Sequence, residues 1–138
     1  MLAKKVAYVA HYGQVDKAGV SYINHPKRVA GRMRFAKYKV VAWLHDVVED
    51  TDFTIKDIRR MFGKETANAV DAITHRKGEA WSDYISRVKR NHVAKMVKIS
   101  DLIDNSNLSR LPIVSDVDVK RQAKYNRALM FLMDMDGK

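Results

Sequence analysis

The chain has 138 residues and no cysteine, and it carries 26 Lys and Arg against 16 Asp and Glu, a formal charge of +10 at neutral pH. That length points to a single domain over residues 1–138 with a core of its own, the missing cysteines exclude disulfides, thiolate metal ligands and a cysteine nucleophile, and the charge favours anionic partners. The longest apolar runs, 40–44 and 128–133, are far short of the roughly 20 residues that cross a bilayer. Met1-Leu2-Ala3-Lys4-Lys5 opens no signal peptide, so a soluble cytoplasmic domain with no membrane partner is expected.

Six glycines and two prolines are too few to punctuate many short strands, and the periodicity reads as all-α. A first helix is expected over residues 3–12, with Val6, Val9 and Ala10 inward and Gly13 ending it. A loop over residues 14–24 follows. Pro26 suits the first turn of the next helix, where its missing N–H costs nothing, and Val29, Ala30 and Met33 continue its apolar stripe. Residues 37–48 read as one buried helix through Val40, Val41, Leu44 and Val48. Thr54 and Asp57 have the spacing of an N-terminal capping box, with a helix running to Phe62 and stopping at Gly63. Helices are then expected over 66–74, 81–90 and 92–105, the last with Val93, Met96, Val97 and Ile99 as its inner face. Pro112 interrupts, and a final helix over 116–133 closes the core with Ala128, Leu129 and Leu132.

The stretch His45-Asp46-Val47-Val48-Glu49-Asp50-Thr51 places four ionisable groups in or just beyond an apolar helix, where unpartnered charge is costly. On that helix, positions i and i+4 share a face, so His45 stands above Glu49 and Asp46 above Asp50. An imidazole with carboxylates suits a divalent metal such as Mn²⁺, Fe²⁺ or Zn²⁺. His25, at a helix entrance, and Asp101, in the apolar run 97–103, are the natural further ligands. Asn105 lies one turn beyond Asp101 on the same face.

In this order the residues resemble the HD superfamily of metal-dependent phosphohydrolases, and in detail the RelA/SpoT-type alarmone hydrolase domain. The strings that carry the resemblance are His11-Tyr12-Gly13-Gln14, Tyr22-Ile23-Asn24-His25-Pro26, Leu44 through Thr51, Thr54 with Asp57-Ile58 and Phe62-Gly63, and Lys98-Ile99-Ser100-Asp101 with Asn105. The resemblance covers about residues 7–108. It implies an HD-fold helical bundle in which His25, His45, Asp46 and Asp101 bind Mn²⁺ or another divalent transition metal, and Glu49 and Asp50 flank the catalytic water. The implied reaction removes the 3′-pyrophosphate of guanosine tetra- or pentaphosphate, giving GDP or GTP and pyrophosphate. Lys17, Tyr22, Lys98 and Asn105 are the expected contacts to this small-molecule nucleotide.

The chain departs from that family in the loop. Asp16-Lys17 stands where an Arg-Lys pair is usual, Gly19-Val20-Ser21-Tyr22 replaces Gly-Glu-Pro-Tyr, and Asn107 occupies the place of an arginine. An anion at position 16 repels a polyphosphate, which keeps open another nucleotide, a pyrophosphorylated tRNA end, or a non-catalytic HD module that binds a nucleotide or RNA. Residues 17–45 and 84–100 contain Lys and Arg but no acid. Lys17, Lys27, Arg28 and Lys98 are candidates for the cleft rim, with Arg87 and Arg90 extending the field. Nucleic acid is a secondary partner on this reading, and the sequence does not give an oligomeric state. His11 reads as structural, His75 and His92 as surface residues, Tyr22, Trp43 and Trp81 as core anchors, and Tyr125 as within reach of the cleft.

Overall fold

The computed structural model describes residues 1–134, whose regular secondary structure is helical apart from an isolated antiparallel bridge between Val15 and Ser21. In chain order the helices are α1 (Leu2–Ala10), α2 (Asn24–Gly31), α3 (Ala36–Leu44), α4 (Val47–Asp50), α5 (Ile55–Phe62), α6 (Lys64–Ile73), α7 (Trp81–Lys89), α8 (His92–Asn105) and α9 (Asp116–Leu132). No helix among the described residues is long and apolar enough to cross a membrane.

The middle of the bundle is α8, which packs against α2, α3, α6, α7 and α9. Its start lies beside the start of α3, where Tyr38 meets His92, and its end lies beside the end of α3, where His45 meets Asp101. The two helices therefore run side by side in the same direction. α2 crosses α8 closely enough for the Ser100 hydroxyl to donate to the Val29 carbonyl at 3.2 Å. Val29, Val41, Leu44, Val47, Ile58, Val70, Ile73, Val88, Val97 and Leu102 form the centre of the core. Each such side chain, fully buried, contributes about 1.5–3 kcal/mol relative to exposure.

Local signals set the ends of several elements. Thr54 and Asp57 exchange hydrogen bonds across the first turn of α5, a reciprocal cap of about 1 kcal/mol. Gly63 then adopts φ +94, a conformation open to glycine, and lets α6 start at once. Pro26 sits in the first turn of α2, as its chemistry requires.

Three expectations need correction. On α1 the buried face is Ala3, Val6 and Ala7, and Val9 is 72 % exposed, because a 100° step per residue carries position 9 off the stripe through 3, 6 and 7. On α8, Met96 faces solvent, and Ala94, Val97, Ser100, Asp101, Leu102 and Asp104 turn inward. The polar residues of that helix pointed to its buried face better than the apolar ones did. Finally, residues 37–48 are not one helix: α3 ends at Leu44, a turn holds His45 and Asp46, and α4 begins at Val47.

Candidate metal centre and its cleft

That turn decides the geometry of the site. On an unbroken helix two consecutive side chains point about 100° apart and do not serve one point. Here His45 Nε2 lies 3.0 Å from Asp46 Oδ2. The stacked pairs expected from a continuous helix are replaced by adjacent residues converging on one centre, with Glu49 and Asp50 one turn on, along α4.

The other members arrive from α2 and α8. His25 Nε2 is 2.8 Å from Asp101 Oδ1 and 3.7 Å from Asp46 Oδ2, and His45 Nε2 is 3.2 Å from Asp101 Oδ1. One ligand atom from each of His25, His45, Asp46 and Asp101 lies within 4.8 Å of all the others. Two imidazole nitrogens with two carboxylates form a donor set that fits a divalent transition metal. The orientation of the rings fits it too. The Nδ1 of His45 donates to the Ala42 carbonyl at 2.6 Å and that of His25 donates to Asp104 at 2.6 Å, so each ring turns its Nε2 to the cluster.

The sequence reading missed Asp104. Its carboxylate is fully buried and accepts hydrogen bonds from Arg28 at 2.8 and 3.0 Å and from Arg32 at 3.3 Å, while Arg110 binds its backbone carbonyl at 3.1 Å. The visible signal was its spacing, three residues beyond Asp101 on the same face of α8. Arg28 is accordingly a partner of this buried acid, not the rim cation expected. Arg87 is likewise committed elsewhere: it donates to Glu79 and to the carbonyls of Asp71, Ala72 and Thr74, fixing the loop between α6 and α7.

Charge in the cluster is set by mutual contact. Burial works against ionisation of Asp46, but the neighbouring His45 charge overrides it and lowers the carboxyl to about 2. Burial also opposes charge on His45 and His25, and there too the carboxylates win and raise both imidazoles. Asp101 is held well below the usual carboxylate range despite burial, chiefly by Lys98, whose Nζ lies 2.8 Å from Oδ2. Glu49 and Asp50 move the other way. Partial burial, then the charge of Asp46, pushes both carboxyls upward.

A cleft of about 340 Å³ opens over the cluster, with Tyr22, Asp46, Glu49, Asp50, Lys98, Asp101 and Asn105 among its walls. Tyr22 donates its hydroxyl to Asp46, and Asn105 donates to Asp101 Oδ1 at 3.1 Å. Trp81, Lys124 and Tyr125 form the far wall, so Trp81 is a cleft residue and not only a core anchor. His75, expected at the surface, also lines it and stacks on Tyr84 at 4.4 Å. His11 is buried as expected of a structural residue, and it binds Gln14, whose amide lies 3.5 Å from Asp50 Oδ2.

A second hollow of about 310 Å³ adjoins the first through Tyr22, Asn105 and Tyr125. Asp16, Lys17, Asn107, Arg110 and Arg121 lie around it. The charge of Arg121, after burial, lowers the Lys17 amine, as expected of two cations facing one space. Asp16 does not behave as a free anion: its Oδ1 accepts from the amides of Ala18 and Val20 at 2.9 and 3.0 Å and fastens its own loop. Arg110, which lines the same hollow as Asn107, is bonded to Asp104. Lys27 and Arg90 line neither hollow.

No protein-family model matches the chain. It is 44 % identical over 72 residues to a probable guanosine-3′,5′-bis(diphosphate) 3′-pyrophosphohydrolase of Synechocystis, covering 49 % of this chain and 10 % of that protein. It is 34 % identical over 101 residues to guanosine-3′,5′-bis(diphosphate) 3′-pyrophosphohydrolase MESH1 of Danio rerio, covering 65 % of this chain and 56 % of that protein. Among solved structures, a metazoan ortholog of SpoT described as hydrolysing ppGpp superposes with a TM-score of 0.70 at 22 % identity, over 99 % of this chain and 94 % of the other, which shows a shared fold. The chain thus spans between about a tenth and about half of the curated relatives it matches.

Proposed function

We propose, from the premise that this chain belongs to the HD-type hydrolase domains of the RelA/SpoT group, that it is a metal-dependent phosphohydrolase removing the 3′-pyrophosphate from guanosine tetra- or pentaphosphate. The observation that carries this reading is the convergence of His25, His45, Asp46 and Asp101 within 4.8 Å, beneath a cleft that also holds Glu49 and Asp50.

In this reading the four residues hold a divalent cation, Mn²⁺ being our choice, which when bound acidifies water and polarises a phosphoryl oxygen. Glu49 and Asp50 orient the attacking water and take its proton. Their upward shift is the direction that suits a general base. The water oxygen joins the phosphorus attached to the ribose 3′-oxygen, the bond between those two breaks, and the ribose oxygen leaves with a proton, so the products are pyrophosphate and GDP or GTP. Lys124 supplies positive charge on the wall for the phosphate oxygens, while Lys98, ion-paired with Asp101, lines the cleft as the partner of that carboxylate. Tyr22 and Asn105, shared by both hollows, stand where nucleoside and phosphates join, and Lys17 and Arg121 face the neighbouring space.

The test is Mn²⁺-dependent turnover of guanosine tetraphosphate, resolved by anion-exchange chromatography, for the native protein beside Asp46→Ala and Glu49→Gln. GDP and pyrophosphate from the native protein alone are expected. A native protein that binds Mn²⁺ yet leaves the nucleotide intact overturns the substrate assignment, and one that binds no divalent ion overturns the metal centre as well.

A further inference from the structure

The acid-free stretches 17–45 and 84–100 also meet on a surface away from the cleft. Phe35 caps the start of α3 in an extended conformation, and the residue stays 58 % exposed. It lies 6.3 Å from the ring of Tyr38, which in turn lies 5.9 Å from the ring of His92 at the start of α8, with the tyrosine hydroxyl 3.0 Å from Nε2. Arg34 stands 5.6 Å from the Phe35 ring and Lys37 stands 5.5 Å from the Tyr38 ring. Arg90, exposed, precedes His92 by two residues. At a rise of 1.5 Å per residue, the steps from Tyr38 to His45 and from His92 to Asp101 put this face roughly 10–14 Å from the metal cluster along the two parallel helices.

From this face we infer a second binding surface, for single-stranded nucleic acid, in which Phe35, Tyr38 and His92 stack on bases and Arg34, Lys37 and Arg90 track the phosphates. The chemistry favours this occupant. Surface rings, here exposed Phe35 and His92 with half-buried Tyr38 between them, interleaved with cations are the combination that single strands use, because every base has a π-face and every linkage a charge. A duplex keeps its bases stacked inside and makes no use of the rings. A membrane surface calls for an amphipathic helix with a free apolar face, and α3 buries its apolar residues Val41, Ala42, Trp43 and Leu44 in the core. A purely local role, Phe35 resting on Tyr38, does not account for a ring left mostly open beneath an arginine.

The test is fluorescence anisotropy with a short labelled oligouridylate on the native protein, on Phe35→Ala, on Arg34→Gln with Lys37→Gln, and on Lys124→Gln in the cleft. We expect salt-sensitive binding, weakened about tenfold by Phe35→Ala. The double variant should reduce the salt slope by about 1.4, the value for two phosphate contacts to a single strand. Lys124→Gln should bind as the native protein does, and Phe35→Ala should keep its phosphohydrolase turnover. Absence of binding at low salt overturns the inference. So does binding that survives the Phe35 and double variants but falls with Lys124→Gln, which places the strand in the cleft. Binding to phosphatidylglycerol vesicles in place of the oligonucleotide, with the same dependence on Phe35, overturns it in favour of a membrane surface.

Discussion

Around the cluster, His25, His45, Asp101 and Asp104 each bond to a residue of another segment, between 56 and 79 positions away in the His–Asp contacts. At the neighbouring hollow, apart from Gln14 and Tyr22 on the side facing the cluster, several polar side chains answer to their own segment: Asp16 to Ala18 and Val20, Asn107 to Ser109, Arg121 to Asp118. The first region is fixed by the packing of whole helices, so a change there disturbs several elements at once. The second is built largely from local turns, so a change there stays confined to one segment.

The comparison predicts a graded series of effects. Asp46→Ala removes a member of the cross-linked end and should abolish both turnover and the rise in Tm on adding Mn²⁺, read by chromatography and thermal melts; persistence of both would break the contrast at its strongest point. Glu49→Gln should lower kcat by about 10²–10⁴ with metal content unchanged by elemental analysis. Asp104→Asn should weaken Mn²⁺ affinity about 10–100-fold, because His25 loses the partner that sets its orientation.

The same substitution has a signature in acid. Burial disfavours the Asp104 carboxylate, but hydrogen bonds from His25 and Arg28 outweigh it and hold the group well below the usual carboxylate range. Its folded value therefore lies beneath the unfolded value of about 3.9, so its stabilisation is present above that pH and is lost as pH falls toward the folded value. Thermal melts from neutral pH to about pH 3 should show a shallower acid decline for Asp104→Asn than for the native protein. At the locally built end effects should be smaller. Lys17→Ala should raise KM a few-fold with kcat nearly unchanged, and the difference should shrink with added salt. Asp16→Ala should cost only about 1 kcal/mol in denaturant unfolding, the scale of a lost loop hydrogen bond, and leave kcat in place.

Most of the helical layout was legible because capping and breaker residues act locally: Thr54 with Asp57, Gly63 and Pro26 mark element ends in sequence and structure alike. The four clustered residues were readable from their types and order. What could not be read was the turn at His45 and Asp46, since an apolar run from Val40 to Val48 has the period of one helix and the break is imposed by packing. Asp104 was hidden for a related reason, as its partners Arg28 and Arg32 lie more than 70 positions away. Arg87 looked like a free surface cation because its bonds to loop carbonyls leave no trace in the sequence.

The long reach of the His25–Asp101 and His25–Asp104 contacts also bears on how the chain folds. Joining segments 76 and 79 positions apart closes most of the chain into loops, at an entropic cost that must be met before those contacts stabilise anything. Helix pairs joined by short connections, such as α5 with α6, can form well ahead of them. Contacts made after the transition state act on the unfolding rate and leave the folding rate nearly untouched. A cation captured by these four residues would then serve as a late lock, prolonging the lifetime of the folded chain far more than it hastens its formation.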